Sequence, residues 1–335
     1  MAIENYKVSI IIPCYNAEQY VDRCLNSVIN QTIGLEHMEI VLINDASTDH
    51  SLEKLMAWEQ RFPNNIILIT YDENLRQGGA RNIGLEYATG KYIGFVDIDD
   101  WIETNMYENL ISEMVTGKYD VVKCQLIREK GSADKTTFLP EWGGIVTGVY
   151  TRELIFKHHI MFPEHMSYED NYWGSLISRY IKYEKRINRV LYHYYINPNS
   201  TVTCRNQISQ LDRMKIETML LDEYKKRGFF NVEREDIFDD FVKRYYLNTW
   251  YIIFTRFDEI PDVLSEMVTT FAYYFPNYKK RVEEKQFTYR SQLLIDMLLE
   301  PENHDVNIVK LRWLRSWLKD QGINVNKNSF NQDIK

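Results

Sequence analysis

Lys91–Trp101 reads KYIGFVDIDDW, and this stretch decides the fold that the rest of the sequence predicts. Its apolar first half has the composition of a buried strand, and the strand ends in Asp97, Asp99 and Asp100. Two carboxylates at positions i and i+2 beyond a strand end can face one crevice, and such hard oxygen ligands suit Mg²⁺ or Mn²⁺. An acidic turn that caps the following helix is the alternative, because aspartate also favours turns and helix starts.

Three more apolar runs precede this stretch, and each of them leads into polar residues. The runs are Val8–Pro13, Glu39–Ile43 and Ile66–Thr70, with helical spacing in the intervals between them. Alternation of strands and helices is typical of an α/β protein with a mostly parallel sheet covered by helices on both faces. Ligands of such sheets bind beyond the carboxyl ends of the strands. The polar strand ends therefore predict a binding site along one edge of the sheet.

Glycine motifs that hold phosphates are missing after the first run, where neither GxGxxG nor GxxxxGK[ST] occurs. Their absence argues against a dinucleotide-dependent dehydrogenase and against a P-loop enzyme. A bound diphosphate would then need another counter-charge, which a divalent ion on Asp97 and Asp99 would provide. Further along, Gln77-Gly78-Gly79 is predicted to form a flexible turn before a helix at Ala80–Ala88.

The composition is that of an ordinary globular protein. The 335 residues are 44% hydrophobic and 26% charged, and the net charge is −8. An acidic balance argues against a general nucleic-acid binder. The four cysteines lie far apart without metal-ligand spacing, so we interpret them as reduced thiols of a cytoplasmic protein. No secretory signal or membrane-spanning apolar run is recognisable, so we expect neither secretion nor a transmembrane helix.

The chain changes character after Trp101. Arg128–Gly148 is rich in glycine and is predicted to be a loop that could act as a mobile lid. From about residue 206 every segment has helical spacing, which predicts an α/β domain over residues 1–205 and an all-helical domain over residues 206–335. The last helix, Val309–Asp320, is basic and amphipathic. It could pack on its own domain, form a homo-oligomer or contact an anionic membrane surface, and the sequence leaves these alternatives open.

Four blocks of the sequence together resemble the family 2 glycosyltransferases, which are nucleotide-sugar enzymes of the GT-A fold. The blocks are VSIIIPCYNAEQYVDRCLNSVINQT, IVLINDASTDHS, ENLRQGGARNIGLEYATGKYIGFVDIDDW and FPEHMSYEDNYW. Their order and spacing agree with the family over roughly residues 6–205, and this agreement is far more specific than a DxD motif alone. The resemblance implies a GT-A catalytic domain with a Rossmann-like sheet, followed by an added helical domain.

The resemblance also implies a role for individual residues. The nucleotide would be held by Pro13, Tyr15, Asn16 and Asp45, with Asp45 reading the base. Arg81 would approach the base or the diphosphate. Asp97 and Asp99 would be the DxD pair, with Asp99 as the direct metal ligand and Asp97 near the ribose or the metal. Asp170 in the Glu169-Asp170 pair would be the catalytic base, although an N-cap of the next helix is the simpler reading of that pair.

The implied activity is metal-dependent, inverting transfer of a sugar from a nucleotide diphosphate sugar to a hydroxyl group. One carboxylate base and one Mn²⁺ or Mg²⁺ site suffice, because a diphosphate leaving group needs no protein acid. We expect a UDP-sugar donor, with dTDP- and GDP-sugars as alternatives. The expected acceptor is a bacterial surface polysaccharide, a teichoic-type polymer or a lipid-linked oligosaccharide, reached in the cytoplasm or at the inner face of the membrane.

Two points remain open at the level of sequence. An aromatic strand is predicted at Val190–Tyr195, and many relatives have a histidine in the loop after it, whereas this chain has Asn197-Pro198-Asn199-Ser200 there. A third contact to metal or phosphate is therefore uncertain. A protein of another class, a catalytically silent sugar-binding or assembly subunit of a polysaccharide synthesis complex, would need none of these carboxylates. Donor hydrolysis that is lost in Asp99→Ala would separate the enzyme from the binding subunit.

Overall fold

The computed structural model of the chain describes residues 7–130, 139–197, 206–232, 234–302, 309–314 and 316. Two compact units divide the chain, Met1–Ser200 and Thr201–Lys335. Within the described ranges, no helix has both the length and the apolar character that crossing a bilayer requires.

A mixed sheet forms the centre of the first unit. In chain order, its strands in the described residues are Val8–Cys14 (β1), Met38–Asp45 (β2), Ile66–Tyr71 (β3), Tyr92–Phe95 (β4), Trp101–Ile102 (β5), Val121–Glu129 (β6), Gly148–Thr151 (β7) and Glu184–Tyr195 (β8). Their order across the sheet is β3-β2-β1-β4-β7-β6-β8-β5. The first four in this order are parallel to one another. β7 is antiparallel to β4 and β6, β8 is parallel to β6, and β5 is antiparallel to β8.

Helices connect most of these strands. They are Val21–Ile29 (α1), Ser51–Arg61 (α2), Arg76–Tyr87 (α3), Met106–Gly117 (α4), Arg152–Lys157 (α5) and Glu169–Ser178 (α6), with 3-10 turns at Leu35–His37 and Ile145–Thr147. Every residue of β1 and β2 is buried, as expected for apolar strands that carry helices on both faces. The predicted alternation of strands and helices around a largely parallel sheet is confirmed.

The sequence did not predict β5 and β7. β5 has two residues and β7 has four, so neither has an apolar run of its own that could be recognised. Both strands form through pairing with distant segments, β5 with β8 and β7 with β4 and β6. The predicted lid, Arg128–Gly148, lies partly outside the described residues, and its described end contains the 3-10 turn that leads into β7.

The described part of the second unit is helical, as predicted. Its helices are Asp212–Lys226 (α7), Glu235–Phe241 (α8), Asn248–Arg256 (α9), Leu264–Tyr274 (α10), Tyr278–Glu283 (α11) and Tyr289–Leu299 (α12), with a 3-10 turn at Ile208–Leu211. The apolar spacing over Asp236–Phe254 predicts a single helix, whereas in the structure a π-helical segment, Val242–Leu247, joins α8 to α9. Aromatic side chains fill the core between α8 and α10, and the rings of Phe241 and Phe271 are 4.9 Å apart.

The last predicted helix is described only at residues 309–314 and 316, and these residues are helical. Leu311 and Leu314 are buried, whereas Val309 and Trp313 are 64% and 52% exposed. The helical spacing of the sequence predicts an apolar side that includes all four of these side chains, but the structure distributes them between a buried and an exposed side. The remainder of this helix lies outside the described residues.

Candidate active site

The polar turns after β1 and β2 are hydrogen-bonded to each other. Asn16 has a φ angle of +46°, a left-handed conformation that asparagine tolerates. Its backbone N–H donates to Ser47 Oγ at 3.1 Å, and its Oδ1 accepts from the Thr48 N–H at 2.7 Å. Pro13 is buried within β1, while the Tyr15 ring is 50% exposed at the edge of the sheet. Asn16 therefore fixes the shape of this edge, and both Tyr15 and Asn16 are exposed there, unlike Pro13.

Asp45 is the last residue of β2, and only 2% of it is exposed. Its Oδ1 accepts a hydrogen bond from the Leu75 N–H at 2.7 Å, and its carbonyl oxygen accepts from Asn74 Nδ2 at 3.1 Å. Burial raises the pKa of the Asp45 carboxyl above its usual value, and the backbone hydrogen bonds oppose this rise. Asp45 is thus held between the end of β2 and the start of α3.

The three carboxylates after β4 lie in one tight turn, Asp97–Asp100, which we call the aspartate turn. The Asp100 N–H donates to the Asp97 carbonyl at 3.0 Å and closes it. The Asp97 side chain is 21% exposed, Asp99 is half-buried and Asp100 is 1% exposed. Burial, followed by the negative charge of Asp97, raises the pKa of Asp99 to about 6. A cation at this turn would relieve that repulsion.

Arg81 connects the aspartate turn to α6. It lies on α3 and is 2% exposed. Its Nη2 donates to Asp97 Oδ1 at 2.7 Å and its Nη1 donates to Glu169 Oε1 at 2.5 Å. Burial alone would lower the pKa of the guanidinium, but the charges of Asp97 and Glu169 outweigh burial and raise it. Any contact of Arg81 with a nucleotide, as the resemblance implies, would therefore be additional to these two ion pairs.

Glu169 and Asp170 occupy the first turn of α6 and differ in exposure. The N-cap position is Tyr168, so the alternative reading of the acidic pair as the cap is wrong. Glu169 is 4% exposed, and burial raises the pKa of its carboxyl above the usual value, against the lowering effect of Arg81. Asp170 is more exposed, and its Oδ1 accepts from the Asn171 N–H at 2.9 Å. Of the two carboxylates, Asp170 is the one that solvent or a substrate can reach.

The glycine pair before Arg81 lies inside α3, so the predicted turn at Gln77-Gly78-Gly79 is wrong. The reason is a close approach between α3 and the segment that leads to α6. A Cβ atom added to Gly78 would lie 2.0 Å from the carbonyl oxygen of Pro163. Glycine is therefore needed at this position for its small size, and it allows Arg81 and Glu169 to meet.

We expect Gly78→Ala to destabilise the first unit by about 1–3 kcal/mol, because the clash is with a backbone oxygen and α3 must move. Thermal denaturation monitored by circular dichroism would measure the effect. Gly143→Ala is the matched control, since a Cβ atom there has nothing within 4 Å, and it should change stability by less than about 0.5 kcal/mol. Equal melting temperatures for the two variants would contradict this packing argument.

In the described residues, no three or more His, Cys, Asp or Glu side chains are arranged so that they could hold a metal ion. The predicted pair Asp97 and Asp99 is smaller than such a cluster. Two carboxylates are nevertheless enough for an ion that takes its other ligands from water and substrate phosphates.

The family model of glycosyl transferase family 2 matches residues 9–186. This match covers more than half of the chain and includes the ends of β1, β2 and β4 together with all of α6. The chain belongs to glycosyl transferase family 2. This match confirms the resemblance that the four sequence blocks indicated.

Curated family 2 relatives are similar to parts of the chain. The uncharacterized glycosyltransferase YibD of Escherichia coli is 31% identical over 226 residues, which are 60% of this chain and 64% of the relative. The minor teichoic acid biosynthesis protein GgaB of Bacillus subtilis is 42% identical over 108 residues, 32% of this chain and 12% of the relative. The chain thus spans less than two thirds of the length of these relatives.

Among solved structures, the chain is similar in fold to residues 1–349 of Staphylococcus aureus TarS in complex with UDP-GlcNAc. The TM-score is 0.71 at 18% sequence identity, and the similarity covers 94% of this chain and 92% of the TarS chain. This similarity confirms the expected GT-A fold.

Two side chains of this family 2 site were not predicted from the sequence. Arg23 on α1 donates from Nη2 to the Asp99 carbonyl at 2.5 Å, with its guanidinium 4.2 Å from the centre of the Trp101 ring. Asn197, just after β8, donates from Nδ2 to Asp99 Oδ2 at 3.2 Å. Asn197 stands at the start of the loop in which the sequence lacked the expected histidine, so its position was a usable signal. Arg23 lies in an ordinary helical pattern, and nothing in the sequence around it indicated a role in the site.

His193 does not take the place of that missing histidine. It lies on β8, stacked on Trp101, with its ring nitrogens 2.6 Å from Glu129 Oε1 and 2.9 Å from Glu103 Oε1. These two carboxylates hold the ring, so His193 joins the ends of β5 and β6 to β8.

Proposed function

We propose that this chain is a metal-dependent, inverting glycosyltransferase that moves a sugar from a nucleotide diphosphate sugar to an acceptor hydroxyl. The observation that carries the proposal is the ion-pair chain from Asp97 through Arg81 to Glu169, next to Asp170. It joins a carboxylate pair suited to a cation with an accessible carboxylate suited to a base. A transferase of this kind needs both groups at one strand edge.

Asp97 and Asp99 fit a divalent cation. Burial and the nearby negative charge of Asp97 raise the pKa of Asp99, and a cation bound at the turn would stabilise both carboxylates. Arg81 forms an ion pair with Asp97, and Arg23 donates to the backbone oxygen of Asp99. When bound, Mn²⁺ or Mg²⁺ supplies charge stabilisation for the leaving diphosphate. Asp99 is our choice for the direct ligand and Asp97 for a second contact to metal or ribose.

Asp170 is proposed as the base. As the acceptor oxygen attacks the anomeric carbon, Asp170 accepts the hydroxyl proton, and the bond between that carbon and the diphosphate oxygen breaks. The electron pair of the broken bond leaves with the diphosphate. Attack from the side opposite the leaving group inverts the anomeric configuration. Glu169 is buried and paired with Arg81, so it is available for holding α6 in place rather than for proton transfer.

The nucleotide is proposed to bind beyond β1 and β2, against Pro13, Tyr15, Asn16 and Asp45. Asp45 is the proposed contact to the base, because its carboxylate is fixed at the strand end. UDP is the proposed nucleotide, supported by family membership and by the UDP-GlcNAc complex of the TarS structure that has the same fold. Arg81 would act on the bound diphosphate through its charge.

A bacterial cell-surface polymer is the proposed acceptor, as a polysaccharide, a teichoic-type polymer or a lipid-linked oligosaccharide. The similarity to GgaB, a teichoic acid biosynthesis protein, supports the teichoic class. We also propose that residues 1–205 are the catalytic domain. Residues 206–335 would be an added domain for acceptor binding, oligomerisation or contact with the inner face of the membrane.

Nucleotide binding tests this proposal directly. UDP with Mn²⁺ at 100 times its Kd should stabilise the protein by about 2.7 kcal/mol. For a unit of this size that corresponds to a rise in melting temperature of about 5–11 °C. Differential scanning fluorimetry with UDP, dTDP and GDP, each with and without Mn²⁺, measures the rise. We expect the largest rise with UDP, and only with the metal.

Asp99→Asn should abolish the Mn²⁺-dependent rise while leaving the melting temperature without ligand nearly unchanged or higher. Asp22→Asn is the matched control, because Asp22 lies on α1 in an exposed ion pair with Lys54. The control should respond to UDP and Mn²⁺ as the wild type does. If no nucleotide raises the melting temperature of the wild type, the silent assembly subunit becomes the better proposal.

A further inference from the structure

The end of β8 contacts every aspartate of the aspartate turn. The Tyr192 hydroxyl donates to Asp100 Oδ2 at 2.6 Å and accepts from the Asp97 N–H at 3.2 Å. The Tyr195 N–H donates to Asp100 Oδ1 at 2.7 Å. Just beyond the strand, Asn197 donates to Asp99 Oδ2 at 3.2 Å. β8 and the residue two positions beyond it therefore bond to all three aspartates of the turn, to Asp97 through its backbone N–H and to Asp99 and Asp100 through their carboxylates.

Asp100 is the central residue of this arrangement, and it faces β8. Each of its carboxylate oxygens accepts a hydrogen bond from β8, and the residue is 1% exposed. Tyr192 is fully buried, so its hydroxyl cannot reach a substrate. A buried carboxylate that accepts two hydrogen bonds is satisfied by the protein itself. The third aspartate therefore has a different task from Asp97 and Asp99.

The chain on either side of the turn is also anchored. β4 precedes the turn and pairs with β1, while β5 follows it and pairs with β8 through Trp101 and His193. The turn itself is closed by one backbone hydrogen bond, between Asp100 and Asp97. Tyr192 adds a second link between these two residues, because its hydroxyl bonds to both of them.

We propose that Asp100 and Tyr192 are positioning residues, which lock the aspartate turn to β8 so that Asp97 and Asp99 face the donor with a fixed separation. This inference rests on the proposed function, because the groups being positioned are those that would hold the metal and the diphosphate. Asp100 is then not a metal ligand. Without these hydrogen bonds, repulsion would move the Asp97 and Asp99 carboxylates apart, and their affinity for one shared cation would fall.

Tyr192→Phe tests the proposal, because it removes the shared hydroxyl and keeps all three carboxylates and the buried ring. We expect the affinity for Mn²⁺ in the presence of UDP to fall about 10- to 100-fold, as for the loss of hydrogen bonds to a charged group. Electron paramagnetic resonance of free Mn²⁺ measures this affinity. Tyr107→Phe is the matched control, since Tyr107 is fully buried in the same unit and its hydroxyl has no hydrogen-bond partner among the described residues.

Asp100→Asn separates positioning from direct ligation. If Asp100 positions the turn, Asp100→Asn, Tyr192→Phe and the double variant should weaken Mn²⁺ binding to a similar extent. Each of them disrupts the same contact, between Asp100 and the Tyr192 hydroxyl. If Asp100 is a ligand, Asp100→Asn should weaken binding while Tyr192→Phe leaves it unchanged, and that result would overturn the proposal. A purely structural role would lower the melting temperature of Tyr192→Phe without changing its Mn²⁺ affinity, which would also overturn it.

Hydrogen exchange of the ligand-free protein provides a test that does not depend on the donor. The Asp97 N–H donates to the Tyr192 hydroxyl, so exchange in a peptide covering residues 96–102 should be at least about tenfold faster in Tyr192→Phe than in the wild type or Tyr107→Phe. Unchanged exchange would overturn the proposal. If the wild type binds no nucleotide with Mn²⁺, the proposed function fails, and hydrogen exchange alone then decides whether β8 holds the turn.

Discussion

The Asp170→Asn variant should bind UDP and Mn²⁺ as tightly as the wild type and transfer sugar about 10²–10⁴-fold more slowly. Asparagine keeps the shape of the side chain and can still accept the hydrogen bond from the Asn171 N–H, so α6 should keep its start. It cannot accept a proton from an acceptor hydroxyl at neutral pH. The expected change is therefore in kcat, with little change in the Kd for the donor.

Two measurements are needed for this variant. Release of UDP with a sugar acceptor present gives the transfer rate, and calorimetric titration gives the affinity for UDP and Mn²⁺. Glu153→Asn is a suitable control, because Glu153 is an exposed acid in the first turn of α5. It should change neither quantity. Transfer at the wild-type rate by Asp170→Asn would show that the base assignment is wrong.

The Arg81→Met variant should lose about 3–5 kcal/mol of unfolding free energy, because it leaves the carboxylates of Asp97 and Glu169 without their shared cation. In a unit of this size, the melting temperature should fall by about 6–20 °C. Urea denaturation followed by tryptophan fluorescence would measure the loss. Adding Glu169→Gln to Arg81→Met should recover part of it, since one of the unpaired buried charges is then removed.

An exposed ion pair serves as the control for Arg81. Arg186 bonds Glu184 at 2.5 Å, the same separation as Arg81 and Glu169, but its side chain is 59% exposed. Arg186→Met should cost less than about 1 kcal/mol, because solvent screens the pair. A loss of 1 kcal/mol or less in Arg81→Met would mean that the buried carboxylates are neutralised in some other way.

The first four strands could be predicted from sequence because each is a local signal. β1 and β2 each contain a run of apolar residues, are buried along their whole length and lead into polar residues. The aspartate turn was predicted for the same reason, since its three carboxylates are adjacent in the chain. β5 and β7 could not be predicted, because short strands are defined by their partners rather than by their own residues.

The ion pairs that connect the aspartate turn to α6 could not be predicted from the sequence. Asp97 and Asp170 were both recognised as site candidates, but nothing local indicated that Arg81 would bridge Asp97 and Glu169. Such a bridge depends on how closely α3 approaches the segment before α6, and the absence of a side chain at Gly78 sets that approach. The sequence analysis recognised the glycines but assigned them to a flexible turn, whereas Gly78 is needed for its small size inside α3.

Arg81 also limits how segments of this chain can be exchanged. It joins Asp97, 16 positions away, to Glu169, 88 positions away. A chimera that received residues 160–178 from a relative with an apolar residue at position 169 would leave Arg81 with one partner fewer, even if Asp170 were retained. The two ends of the proposed site therefore depend on each other through Arg81, and a graft of residues 160–178 should keep glutamate at position 169.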